Sequence, residues 1–253
     1  MSRAFLVAFC VLLQSVVFGA ASIRECASIA ELRTLADKNT LIVCDLDDTI
    51  FRAKQMLGSS VWFDETVKQQ STPESIQQVI ELWESVQSAT QVVLMEPITA
   101  DEVGLLQRSG AMVVAMTARG YNIWASTIRQ LRSVGIDFDR ASRVPVLFSL
   151  QNMPGTVFFK GILFTTGGHK GRALKEFLRQ IQYTPEKVIY INDKKEPLEE
   201  VASTLPHSIE YIGLRYAPAD QVRDAYKPNI AKVQYEHFSE ILSDIEAASV
   251  ATP

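Results

Sequence analysis

The chain has 253 residues, 47% apolar and 21% charged, with a formal net charge of −4. That length holds one large domain, or a core with a smaller insertion, and the composition excludes both a disordered chain and a collagen-like fibre. A mild negative charge offers no broad basic field, so the expected partners include no nucleic acid.

In chain order, the first signal is the N-terminus. Arg3 precedes an apolar run from Ala4 to Phe18, broken only by Gln14 and Ser15, and the small residues Gly19, Ala20, Ala21 and Ser22 follow. This is the layout of a secretory signal peptide, predicted over residues 1–21, with the mature chain starting near Ala20 to Ile23. A membrane anchor would want a longer and purer apolar run. The expectation is therefore an exported protein, periplasmic or secreted, with no stable membrane association after cleavage. Residues 22–253 form the mature domain. Export would permit a disulfide between Cys26 and Cys44, but Cys44 ends a predicted buried strand, so buried free thiols are expected.

Thr40-Leu-Ile-Val-Cys44 is a short, continuous apolar run rich in β-branched residues, the pattern of a buried parallel strand. Asp45-Leu-Asp47-Asp48-Thr49 follows directly. The stretch of about 51–97 reads as a small helical insertion. Thr72-Pro73-Glu74 marks a helix start, and Ile76, Val79, Ile80 and Trp83 form one apolar face. Trp62 and Phe63 are expected to pack within it. Thr99-Ala-Asp-Glu102 carries a capping-box signature for the next helix.

Ala111 to Met116 is a second buried strand, ending at Thr117-Ala118-Arg119. The helix after it carries Trp124, Ile128 and Leu131 and ends at Gly135. Thr156–Phe159 and Ile162–Thr165, split by Lys160-Gly161, read as a hairpin. Lys170 precedes a helix marked by Leu174, Phe177, Leu178 and Ile181. Lys187 to Ile191 is a third buried strand, ending at Asn192-Asp193, and Ile209 to Leu214 a fourth. The tail from Val222 mixes helix signals with Pro228. Alternating strands and helices predict a doubly wound α/β sheet.

Ligands of such sheets bind outside the carboxyl ends of the strands. Those ends here carry a carboxylate, a second acid two residues on, a hydroxyl and a further acid, with a lysine nearby. The set suits phosphoryl transfer, which is mostly positioning and charge neutralisation.

The same residues resemble the motifs of the haloacid dehalogenase superfamily. Leu41-Ile-Val-Cys-Asp45-Leu-Asp47-Asp48-Thr49 looks like its first motif, Val113-Val-Ala-Met-Thr117 its second, Lys170 its third and Asp193 its fourth. More narrowly, Leu57-Gly58-Ser59, Met95-Glu96-Pro97, Thr117-Ala118-Arg119 and Lys170-Gly171 resemble a branch often found as exported proteins of intracellular bacteria such as chlamydiae and legionellae. The resemblance implies a Rossmann-like three-layer α/β/α core with a small helical cap. It implies an Mg²⁺-dependent phosphatase acting on a small phosphorylated substrate. Asp45 would be the nucleophile, Asp47 the general acid and base, and Thr117 and Lys170 the phosphate-binding residues. Asp45, the Asp47 carbonyl and Asp193 would hold Mg²⁺. The competing readings are a protein phosphatase acting on a host target, and a degenerate phosphate-binding or interaction protein. Asp48 is expected to serve a turn and His169 to lie at the surface. Arg119 lies either near the phosphate or at a helix start. Asn192 stands where many relatives in the superfamily have another acid.

Overall fold

The structure is a computed structural model that describes residues 21–250 apart from 142, 143, 145 and 146. The expected signal peptide lies, but for Ala21, outside the described residues. The chain opens with β1 (Ala21–Cys26), α1 (Glu31–Leu35) and the central strand β2 (Thr40–Cys44). The insertion comprises β3 (Phe51–Ala53), α2 (Ser60–Lys68), α3 (Pro73–Ala89) and β4 (Val92–Leu94). The core resumes with α4 (Thr99–Arg108), β5 (Met112–Thr117) and α5 (Trp124–Ser133). Three short strands follow, β6 (Leu147–Ser149), β7 (Val157–Phe159) and β8 (Ile162–Phe164). Then come α6 (Lys170–Gln180), β9 (Lys187–Asn192), α7 (Lys195–Thr204) and β10 (Glu210–Tyr216). The tail forms α8 (Ala219–Asp224), α9 (Pro228–Glu236) and α10 (Asp244–Val250).

Eight strands form one sheet in the order β1-β10-β9-β2-β5-β8-β7-β6. The pairs from β1 to β8 are parallel, and β8-β7-β6 are antiparallel. Successive side chains of a strand point to opposite faces, and each face here is covered by helices. Ile42 and Cys44 of β2, Val113 and Ala115 of β5, and Ile189 and Ile191 of β9 pack with Leu32, Val103, Leu106 and Leu131 of α1, α4 and α5. Leu41, Val43, Val114, Met116, Val188 and Tyr190 face the other way, against Leu174, Phe177, Leu198 and Val201 of α6 and α7. The fold is thus a three-layer, Rossmann-like α/β/α core, as the resemblance implies.

Two glycines are fixed by geometry. The β7–β8 hairpin turns at Lys160 and Gly161, both with positive φ (49° and 76°), as a two-residue turn between right-twisted strands requires. Gly171 lets α6 lie against α7: a Cβ there would sit 2.1 Å from the Glu200 carbonyl oxygen. Gly171→Ala must push the two helices apart, and Lys170 is its neighbour. Its expected cost is about 3 kcal/mol, the upper range for overpacking, read as a shift in the urea midpoint.

The insertion is not purely helical. The runs β3 and β4 pair as an antiparallel ribbon, Phe51↔Leu94 to Ala53↔Val92, which brings its entry and exit side by side. Three-residue strands are too short to show a period-2 pattern. Thr72 caps α3 with a reciprocal capping box to Ser75. By contrast, α4 has no side-chain cap: Thr99 is its first residue, and Thr99 Oγ1 accepts from the Glu96 N–H at 3.3 Å. The capping-box expectation for Thr99 therefore fails. Leu57, Trp62 and Val86 form the insertion's own core together with Ala231 from the tail, and the Phe63 ring lies tilted against Trp83, centroids 5.3 Å apart. The tail closes over this unit. Gln234 Oε1 accepts from the Leu57 N–H at 2.8 Å, and Asp244 Oδ1 from the Met56 N–H at 2.9 Å.

Cys26 and Cys44 are both free and buried. Burial pushes each thiol up to about 12. Neither is expected to react with an aromatic disulfide reagent at pH 8 in the native protein, because the thiolate is the nucleophile. Both should react once urea unfolds the chain; native reactivity of either would contradict the packing.

Candidate active site

Three parallel strands, β9, β2 and β5, lie side by side at the centre of the sheet, and their carboxyl ends deliver the motif residues. Asp45 follows β2, with its N–H donated to the Ile191 carbonyl at 3.0 Å, so it continues the ladder before the chain turns. Asp48 makes that turn, with φ at 56° and its N–H donated to the Phe51 carbonyl at 2.8 Å. Thr49 Oγ1 accepts from the Asp193 N–H at 3.0 Å, which ties the first motif to the fourth. Thr117 ends β5 and is buried. Its Oγ1 accepts from the Arg119 N–H at 3.2 Å, and its hydroxyl proton stays available.

Lys170 is the first residue of α6 rather than a residue of the preceding loop, and is 6% exposed. Its Nζ donates to Asp45 Oδ1 in a buried ion pair. The backbone N–H of Lys170 donates to Glu200 Oε2 at 2.7 Å, which holds the helix start in place. His169 is half-exposed and caps α6 through Nδ1, which accepts from the Arg172 N–H at 3.3 Å. Asp45, Asp47, Thr117, Lys170 and Asp193 thus lie at neighbouring strand ends and the adjoining helix start.

Each of the three motif acids has a basic partner. Asp45 meets Lys170, Asp47 meets Arg119, and Asp193 meets Arg223 of α8. The pairing leaves particular oxygens free. Among the described residues no hydrogen bond reaches Asp45 Oδ2, the Asp47 carbonyl oxygen or Asp193 Oδ1. Burial raises the Asp45 carboxyl, opposed by Lys170. Burial, followed by the charge of Asp45, pushes Asp193 up to about 7. Burial likewise pushes Asp48 to about 6. Crowded, desolvated acids with unused oxygens fit a hard cation. Two carboxylates and a carbonyl are an ordinary protein share for Mg²⁺, which keeps several waters. No group of three or more His, Cys, Asp or Glu side chains suited to a metal occurs among the described residues.

Asn192 is outside that set. Its Nδ2 donates to the Tyr190 hydroxyl at 2.7 Å, and its Oδ1 accepts from the Lys194 N–H at 2.7 Å. It shapes the loop that carries Asp193, with its amide oriented by these two bonds. Glu196 is exposed. Lys194 turns to the insertion and pairs with Asp64 at 2.7 Å.

Arg119 is the residue whose place the sequence left open. Its side chain is 1% exposed, its Nε donates to Asp47 Oδ2 at 2.9 Å, and its Nη2 donates to Asp47 Oδ1 at 2.7 Å. Arg223 went unnoticed because its partner lies thirty positions away and nothing local marks it. Two grooves, of about 440 and 830 Å³, lie near the amino ends of β9 and β10, and neither is lined by any motif residue.

The strand ends bring the residues of the four motifs together, in keeping with their resemblance to the haloacid dehalogenase superfamily. The chain belongs to the family described as "Protein of unknown function (DUF2608)", which matches residues 22–248. A protein of Chlamydia trachomatis serovar D, named "Putative outer membrane protein", is 26% identical over 219 residues, covering 84% of this chain and 82% of the relative. One of Chlamydia muridarum with the same name is 28% identical over 216 residues, covering 83% and 81%. Among solved structures, a haloacid dehalogenase-like hydrolase from Streptococcus pneumoniae matches 73% of this chain and 97% of its own, at 14% identity and a TM-score of 0.45. The HAD domain of effector protein Lem4 from Legionella pneumophila matches 84% and 98%, at 14% identity and a TM-score of 0.38.

Proposed function

We propose that the protein is an exported Mg²⁺-dependent phosphohydrolase that cleaves a phosphate monoester through an aspartyl-phosphate on Asp45. The observation that carries this reading is the Asp45–Lys170 ion pair at the end of β2, with Asp193 held beside it through Thr49. A carboxylate with one free oxygen, buried against an ammonium, is an oriented nucleophile. In the first step one oxygen of the Asp45 carboxylate bonds to phosphorus, the other remaining for the cation, and the bond to the leaving oxygen breaks, with Asp47 giving that oxygen a proton. In the second, Asp47 takes a proton from water as the water oxygen attacks phosphorus and releases Asp45. Thr117 Oγ1 donates to a phosphoryl oxygen, and the Lys170 ammonium neutralises one. Asp45, the Asp47 carbonyl and Asp193 would hold Mg²⁺, which would offset the negative charge that nucleophile and phosphate bring together.

Export is supported by Arg3 and the apolar run to Phe18, and by relatives named for the outer membrane. No helix among the described residues is long and apolar enough to cross a membrane. The destination proposed is the periplasm or the exterior.

One observation favours a second reading. Arg223 sits on the acid that would bind the metal, as in a phosphate-binding protein that has lost turnover. The test is phosphate release by purified residues 22–253 from a panel of phosphate esters, with Mg²⁺ or with a chelator. Release that needs Mg²⁺ is the expected result. Binding of phosphate esters with no release under either condition would replace the hydrolase by the binding protein.

A further inference from the structure

Building on the phosphohydrolase reading, we propose that Arg119 is a positioning residue: it fixes the Asp47 carboxylate and makes that placement depend on the docking of α3. A guanidinium has five N–H donors in a rigid fork, and all five are matched here. Two go to Asp47, as above. Nη2 also donates to Gln87 Oε1 at 3.1 Å, and Nη1 donates to Gln130 Oε1 at 2.6 Å and Thr127 Oγ1 at 3.2 Å. The Phe51 and Trp83 rings flank the group at 5.1 and 5.4 Å. A bidentate pair sets the plane of the carboxylate as well as its distance. Arg119 is 1% exposed and Asp47 28%, so the carboxylate projects from a buried anchor towards the open side of the site, with one lone-pair site per oxygen unused.

The anchor is not made by the core alone. Gln130 and Thr127 belong to α5, but Gln87 and Trp83 belong to α3 in the insertion. Gln87 is itself held by Gln130 Nε2 at 3.1 Å and donates to the Gly58 carbonyl at 2.7 Å, just ahead of α2. The other strand-end loops reach the insertion as well. Asp48 after β2 accepts from Ser60 Oγ, and Lys194 after β9 pairs with Asp64. Each of the three central strands therefore sends one polar contact from its end to the insertion. If α3 lifts, the guanidinium loses an acceptor and a ring, and Asp47 loses its fixed plane. Asp47 is thus in register for proton transfer only when the insertion is closed.

The test compares Arg119→Lys, Gln87→Leu and the double variant in the mature protein. Lysine keeps the charge but not the two-point grip, and Gln87→Leu keeps the Asp47–Arg119 pair but removes its hydrogen bond to the insertion. Turnover is measured on an alkyl phosphate, which needs leaving-group protonation, and on nitrophenyl phosphate, which needs little. Each single variant should lower kcat on the alkyl ester by about tenfold or more, with the aryl ester changed by less than about threefold and KM nearly constant. The double variant should lose about as much as the worse single one, because both act on one unit. Equal losses on the two esters, or additive losses, would overturn the proposal, leaving Arg119 a packing residue. If Arg119→Lys does not fold, Gln87→Leu carries the same comparison. If the wild type turns over neither ester, the phosphohydrolase reading is what fails. Hydrogen exchange then decides the coupling: Gln87→Leu should expose the amides of 45–51 and of α3 together, and unchanged protection at 45–51 would overturn it.

Discussion

Asp45→Asn is expected to lower turnover of a phosphate ester by about a thousandfold or more, ~4 kcal/mol of barrier. Asparagine keeps the shape of the side chain and an acceptor for Lys170 Nζ, so the strand end and the ion-pair pocket should keep their outline. What it removes is the charge on the oxygen that would bond to phosphorus. The measurement is steady-state phosphate release, with the circular dichroism spectrum as the control for folding. Activity within about tenfold of wild type would rule Asp45 out as the nucleophile, whatever the rest of the site does.

Asp193→Asn is expected to weaken Mg²⁺ binding by about a hundredfold, ~2.7 kcal/mol, in a calorimetric titration. Asp193 supplies one of the three free oxygens and is one of only two carboxylates in the set. Arg223→Gln should act in the opposite direction and tighten Mg²⁺ binding by about threefold, since it removes a positive charge lying against Asp193. Weaker binding in Arg223→Gln would mean that the guanidinium orients the carboxylate for the metal instead of competing with it. The pH dependence has a definite sign. Burial and the charge of Asp45 push Asp193 up to about 7, so protons compete with the cation below that pH, and Mg²⁺ affinity should fall from pH 8 to pH 6. For the metal-free protein the same shift works the other way. A carboxyl with a raised folded pKa holds its proton more tightly when folded, so its charge burdens the fold above about pH 7. That burden is full above about pH 7 and lifts progressively as the pH falls from there towards the ordinary carboxylate value of 3.8.

The strands that build the site were legible because β2, β5 and β9 are buried on both faces. Such strands read as unbroken apolar runs, and a polar residue directly after one stands out. The hairpin at Lys160-Gly161 was legible for a different reason, since its positive φ values favour residues that tolerate that conformation. The edge strand β1 was missed: Ala21-Ser-Ile-Arg-Glu-Cys26 is mostly exposed, so its polar composition hides a strand that β10 pairs from far along the chain. The ribbon of β3 and β4 was missed because each run has three residues. Of the candidate site, the acids, Thr117 and Lys170 were marked by strand ends and by motif order. Their counter-ions were not. Arg119 depends on Gln87, Thr127 and Gln130, and Arg223 on Asp193, and such contacts across the fold leave no periodic trace.

The closing of the tail over the insertion sets an order for assembly during synthesis. Met56 and Leu57 find their partners only at Asp244 and Gln234, 188 and 177 positions later, and Ala231 completes the apolar cluster around Leu57, Trp62 and Val86. As the chain grows from its N-terminus, α2 and α3 exist long before the residues that cover them. The strand bearing Asp45 gains its neighbour β9 before the insertion gains its cover. The insertion is therefore the part whose cover is synthesised last, and a chain stopped near residue 225 would carry every motif of the site while lacking that cover.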